Sequence, residues 1–466
     1  MALESFEKMA KILNSDTEIE SNLATSPSRR VAVFLCVLPA AYFLVSAGYA
    51  LAHYSDFASG WPNFLRYVAG PGLIGLALLT GAFVLPGRTA APLGLCMLGI
   101  LGGLFAFEAV MTVQVVYRLL GAYDSSSALD QQQIDGLEGF PTGYTAKQLN
   151  RALETRQLST AILSGIPNST TRLCWDAGTP VIYVADQYGF NNPNTSYDVT
   201  TNVVVLGDSF IEGMCQQPGK DVVSLLRKNQ LTSIGLGTRG AGPLFELATL
   251  GRFGKPLQPR HVIFAFFEGN DWENLSQELR LSWLTDALSE NADYGPREIS
   301  AERLAQSRQV IAGLIIDKPP VTDVLKRTRV LRNFLALNQT ATQIGLAYPK
   351  NSYKIPEYKT VLERAKKLTE SWGGELTLLY IPQSARFQGL LPHHFTYDQL
   401  RMEVIRSAQD VGIKTIDLVE LFSNESEPQL FYGTADAHFS EHGAAFTAQA
   451  IADHIAGKSV VKIISQ

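Results

Sequence analysis

The sequence predicts a three-layer α/β domain built on a parallel sheet and preceded by three transmembrane helices. Three observations carry that prediction. The first 120 residues hold three long apolar runs. Beyond them, five strand-like runs alternate with helical patterns. The polar and glycine-rich punctuation falls just after the strands, at the edge where open α/β sheets bind ligands.

Length and charge bound the rest. At 466 residues the chain exceeds one ordinary domain. Its net charge of −5 comes with no basic stripe, which argues against nucleic acid as a partner. Four cysteines without a Cys-x-x-Cys pair give no zinc-binding pattern, so no metal site is expected.

Residues 1–30 are polar and close on Ser28-Arg29-Arg30. Val31 to Ala52 is then unbroken and uncharged, long enough at roughly 33 Å to cross the hydrocarbon layer. Its polar lead is too long, and the run too long, for a cleaved signal peptide. The second span is read at about Val68 to Leu85, the third from about Ala91 to beyond Val113. Lys8, Lys11, Arg29 and Arg30 precede the first span, so the N-terminus is expected in the cytoplasm. Three crossings then leave everything after about residue 120 on the outer side of the bilayer. Glu108 falls inside the third apolar run. It is either an intramembrane carboxylate with a task or a residue at the membrane interface.

Residues 121–194 read as a linker and approach segment. Asp124 to Ser127 and Gln131 to Gln133 are linker-like, residues 145–163 carry helical periodicity, and Pro180 to Val184 reads as a strand. Cys174 and Cys215 are the cysteines outside the apolar runs. In an oxidising compartment they permit one disulfide; two buried thiols are the alternative.

The predicted α/β domain spans residues 195–457. Val203 to Leu206 is a strand buried on both faces, ending in Gly207-Asp208-Ser209. Leu231 to Ile234 is read as the second strand, opening into a glycine block that runs to Gly242. His261 to Phe266 is the third, ending in Glu268-Gly269-Asn270-Asp271. Glu375 to Ile381 is the fourth, and Gly412 to Leu418 holds the fifth. Thr434 to Ser440 follows and brings His438 to the same edge, before a helix that Ser440 caps and Gly457 ends. A helical insertion at about 272–360 exceeds a normal crossover and is read as a lid or binding surface.

Gly207-Asp208-Ser209-Phe210, the glycine block through Gly240, Gly269-Asn270-Asp271 and Asp436-x-His438 stand in the order found in SGNH (GDSL-type) serine hydrolases. The chain resembles that superfamily over roughly residues 195–457. Asp186-x-Tyr188-Gly189-Phe190-Asn191 is similar to a run in its membrane-anchored bacterial members. The resemblance implies a flavodoxin-like sheet, with Ser209 as nucleophile and His438 as base. It also implies an oxyanion hole made by the Ser209 amide, the Gly240 amide and the Asn270 side chain. No cofactor is implied. Two positions depart from the pattern. Ala435 stands where the acid three residues before the histidine is usual, so Asp436 is the candidate acid, as in the similar alginate O-acetylation branch. Gly235 stands where the second block usually opens with asparagine.

The implied activity is cleavage of O-acyl esters, acetyl groups on envelope or exported polysaccharide in particular. A transferase variant would need an acyl-donor membrane partner. A catalytically silent carbohydrate-binding or assembly protein would keep the same fold. Gly235-x-Gly237-x-x-Gly240 also matches a dinucleotide fingerprint, which leaves Ser209, Asn270 and His438 without a purpose. No Gly-x-Ser-x-Gly elbow surrounds Ser209, which argues against the α/β-hydrolase fold.

Overall fold

The computed structural model describes residues 29–458 apart from 58–60, 133–137, 177–178, 315–321, 323–324, 327–328, 346–353, 391–392 and 434–436. Lys8, Lys11 and Asp436 lie outside the described residues.

The chain divides into two compact parts. The first comprises the N-terminal residues through Val115 together with Arg329–Thr340. Within it, helices at Arg29–Ala52, Leu65–Val84 and Gly87–Tyr117 are long and apolar enough to cross a membrane. They begin and end close to the sequence reading, because an uncharged run flanked by arginine and glycine leaves little freedom in placing them. The helical backbone of the third continues to Gln132, through residues that the composition suggested as linker. Where these helices meet, small residues let the backbones approach. Ala32, Cys36, Ala82, Ala90 and Ala91 form one buried cluster, and Cys36 Sγ lies 3.1 Å from the Ala90 carbonyl.

The second part holds the α/β domain. An antiparallel hairpin, β1 (Thr170–Asp176) and β2 (Thr179–Val184), precedes it. Then come β3 (Val203–Gly207), β4 (Ser233–Gly237), β5 (His261–Phe267), β6 (Glu375–Ile381) and β7 (Lys414–Asp417). Their order is β4-β3-β5-β6-β7, and every neighbouring pair is parallel. This is the flavodoxin-like order, with a topological switch point between β3 and β5.

Strand side chains alternate between two cores, and this makes the three layers. Val204, Leu206, Ile234, Leu236, Val262, Phe264 and Phe266 enter one core with the helices Pro243–Thr249 and Glu357–Glu370. Val203, Val205, Ile263, Ala265, Leu379 and Ile416 enter the other with the helices Ser209–Glu212, Val222–Lys228 and Glu441–Ile455. Val203 to Leu206 are each fully buried, which contributes roughly 6–12 kcal/mol from that strand alone.

Three local readings change. The second strand runs over Ser233–Gly237, two to three residues later than its aliphatic run suggests. Gly235 and Gly237 are therefore strand residues and not loop. The reason is crowding: a Cβ on Gly237 would stand 2.2 Å from the Glu212 amide nitrogen, so the helix after Ser209 can cross β4 only over glycine. The helical periodicity over 145–163 yields only Ala146–Ala152, closed by a capping box from Thr145 and Gln148, and a single 3-10 turn at Leu158–Thr160. The insertion is also divided. The helix Asp271–Glu278 packs with Pro243–Thr249, whereas Arg329–Thr340 belongs with the apolar helices.

Candidate active site

Ser209 opens a short helix, Ser209–Glu212, at the C-terminal end of β3. Asp208 caps that helix, its carboxylate accepting from the Phe210 amide at 2.9 Å. Gly213, at φ +87°, ends it after one turn. Strand, cap and stop together hold the hydroxyl at the sheet edge.

His438 reaches the same edge from the far end of the domain. At the ends of its loop Tyr432 and Phe439 form an isolated antiparallel bridge, and the Gly433 amide donates to the His438 carbonyl at 2.8 Å. Ser440 then caps the helix Glu441–Ile455, and the Gln216 side chain donates to the Phe439 carbonyl. The imidazole packs on the Phe210 ring at 4.9 Å, and Phe439 lies edge-on to the same ring at 4.8 Å. The result is a distance of 2.8 Å between Ser209 Oγ and His438 Nε2. For the serine to donate, the imidazole must carry its proton on Nδ1.

The other predicted site residues converge on this edge to different degrees. Gly240 lies in the turn after β4, which is tied to β3 where the Thr238 amide donates to the Gly207 carbonyl at 3.1 Å. Its φ of +72° is a left-handed conformation, and a Cβ there would meet the Thr145 side chain at 2.8 Å, so glycine is required twice over. Asn270 follows β5, half-buried, and favours the charged form of the Asp208 carboxyl. Its Oδ1 is buried and accepts nothing among the described residues. Asp436 lies outside the described residues, so the acid behind His438 has no described geometry. Cys174 and Cys215 are joined in a disulfide with a Cα–Cα distance of 5.4 Å. It ties β1 to the segment that leaves the serine helix.

Buried charge surrounds the pair, and sequence reasoning did not find most of it. Burial pushes the Asp208 carboxyl above its ordinary value, against the Phe210 amide, His438, Asn270 and Ser209, which all favour its charged form. Glu212 and Arg239, both buried, form an ion pair at 2.6 Å that joins the serine helix to the glycine turn. The Tyr183 hydroxyl donates to the same carboxylate at 3.0 Å. Glu278 accepts from the Gly242, Leu244 and Phe245 amides and pairs with Lys147 at 3.0 Å. Asp271 accepts from the Phe267 amide at 2.6 Å, the structural role its place in the turn suggests. Glu268, in the same block, meets the Arg386 guanidinium in a fully buried pair. Ion pairs between residues tens of positions apart leave no periodic signature, so nothing in spacing could have matched these partners.

The dinucleotide reading fails on position. Its fingerprint needs glycines in a loop between strand and helix, and two of the three here lie within β4. Among the described residues no His, Cys, Asp and Glu cluster is arranged to hold a metal ion.

Residues 345–465, which include His438, match the family model described as SGNH hydrolase-like domain, acetyltransferase AlgX. The chain carries an SGNH hydrolase-like domain. Ser209 precedes the matched stretch and joins it through the sheet. Among solved structures, the chain is similar to a lipase/acylhydrolase from Enterococcus faecalis at 16% identity, covering 55% of this chain and 96% of that one with a TM-score of 0.31. It is also similar to the psychrotrophic esterase EstA from Pseudoalteromonas sp., in a structure inhibited by monoethylphosphonate, at 12% identity, 55% and 97% coverage and a TM-score of 0.30. No curated protein matches the chain.

Proposed function

We propose that this protein is a membrane-anchored serine esterase that cleaves O-acyl esters, acetyl groups on envelope or exported polysaccharide, through an acyl-enzyme. The observation that carries the reading is the 2.8 Å approach of Ser209 Oγ to His438 Nε2 at the C-terminal edge of a parallel sheet. A serine hydroxyl is a poor nucleophile until a base takes its proton, and this geometry supplies the base.

The reaction follows from the arrangement. Ser209 Oγ attacks the ester carbonyl while its proton passes to His438 Nε2. The developing oxyanion is met by the Ser209 amide, the Gly240 amide and the Asn270 side chain. The imidazolium returns its proton to the leaving sugar oxygen and the acyl group stays on Ser209. Water, deprotonated by His438, then attacks the acyl-enzyme and regenerates the serine. Asp436 is the proposed acid that orients the imidazole and stabilises its charged form.

A second reading is favoured by the description of the matching family model, an acetyltransferase. A sugar hydroxyl would then replace water in the second step, and a membrane partner would deliver the acyl group. We propose the outer face of the membrane as the location of the catalytic domain. Supporting this are the basic residues before the first span and the Cys174–Cys215 disulfide, which suits an oxidising compartment.

The deciding experiment treats the purified chain with a fluorophosphonate probe and follows acetyl-ester hydrolysis, with Ser209→Ala as control. Labelling and turnover that vanish in the variant are expected. Neither in the wild type would leave a silent binding protein. Labelling with slow hydrolysis that an oligosaccharide acceptor accelerates would favour transfer.

A further inference from the structure

Residues 329–340 lie deep within the catalytic domain's insertion in sequence, yet they pack on the apolar helices. We infer that this stretch dips into the acyl layer of the membrane as a re-entrant element docked on the first and third spans. Glu108 closes the hydrogen bonds of its backbone.

The depth argument starts from Tyr42. It stands midway along the uncharged run Val31 to Ala52, roughly 15 Å from either end. Its hydroxyl donates to the Leu335 carbonyl at 3.1 Å. The Tyr42 ring lies edge-on to Phe105 of the third span at 5.4 Å, and Phe105 in turn packs on Phe334 at 5.5 Å. A contact chain from the middle of one span to the other and on to Phe334 puts the helix Val330–Leu335 at the depth of the spans.

Irregular backbone survives in hydrocarbon only where protein groups satisfy it. The structure meets that requirement at the point where the chain turns. Glu108 is fully buried, and its carboxylate accepts from the Gln339 amide at 3.0 Å, the Thr340 amide at 2.8 Å and the Thr340 hydroxyl at 2.9 Å. An otherwise costly charge in an apolar span thus has a set of donors built around it.

The outward face names the occupant. Leu331 is 72% exposed and Leu335 53% exposed, as are the apolar Val110 at 58% and Val113 at 66% on the third span. Acyl chains are the partner of that chemistry.

The test uses the full chain reconstituted in bilayers, with Cys36 and Cys96 replaced by alanine and the disulfide intact. Nitroxide labels are placed singly at Leu331→Cys, Leu335→Cys and, as a water-exposed reference, Gln309→Cys. Relaxation by oxygen and by a water-soluble nickel chelate is compared. The labels at 331 and 335 are expected to respond to oxygen and to lose the nickel response, and the label at 309 to do the reverse. A nickel response at 331 and 335 as strong as at 309 would overturn the inference. Glu108→Ala should restore nickel relaxation at 335, and Glu108→Gln, which keeps one acceptor oxygen and the side-chain size, should restore part of it. No rise in either variant would refute the role of Glu108.

Discussion

Asn270 favours the charged form of the buried Asp208 carboxyl, the residue before Ser209. The two stand at the ends of adjacent parallel strands, β5 and β3, at one edge of the sheet. Asn270→Ala is expected to lower kcat by about 10²- to 10³-fold with little change in KM, as for loss of a single oxyanion donor. A change confined to KM would assign Asn270 to substrate binding instead.

Ser209→Ala and His438→Ala should each remove acyl turnover by on the order of 10⁴-fold or more, and the double variant should be no worse than either single one. Additive losses would show that the two side chains do not act as a unit. Asp436→Asn tests the acid separately. A fall of several orders of magnitude is expected if it orients His438, and a fall below about tenfold would leave the serine and histidine working without it.

Acidity behind the site gives a pH signature. Burial, then the charges of Asp271, Asp208 and Glu278, hold the Glu246 carboxyl well above the usual range, and neither of its oxygens has a hydrogen-bond partner among the described residues. Burial and the Asp208 charge do the same to Asp271. The folded chain therefore keeps protons that the unfolded chain releases above about pH 4. Stability contributed by these groups is full below that range and is lost as pH rises toward their folded values. Tm should decline as pH rises above the ordinary carboxyl range, and Glu246→Gln should flatten that decline. Equal slopes in the variant and the wild type would count against a buried proton at Glu246.

The Cys174–Cys215 bond spans a separation of 41 residues, and closing a loop of that length stabilises by about 3–4 kcal/mol in the chain-entropy account. Cys174→Ser with Cys215→Ser, or reduction of the wild type, should lower Tm by several degrees. Because the bond leaves from the segment after the serine helix, esterase activity should fall before the sheet unfolds. Thermal melts with and without reductant, with activity read in parallel, check both points.

The fold and the Ser209–His438 pair are legible for one physical reason: both are written in local pattern. Val203 to Leu206 and His261 to Phe266 are apolar runs of strand length, and the residues that end them are turn-formers at a sheet edge. The second strand starts later than its aliphatic run because Gly235 and Gly237 look like loop, whereas they are where β4 is crowded, Gly235 by Val223 and Gly237 by the serine helix. Glu212 with Arg239, Glu278 with Lys147 and Glu268 with Arg386 were illegible, since each pair forms only when distant segments meet. Glu108 was visible as an oddity, but its partners at Gln339 and Thr340 come from an insertion far along the chain.

Ser209 and His438 are 229 residues apart in the chain. Their contact is therefore a property of the completed domain and of neither half alone. A chain clipped before the final helix would keep the serine at the end of its strand without the imidazole beside it.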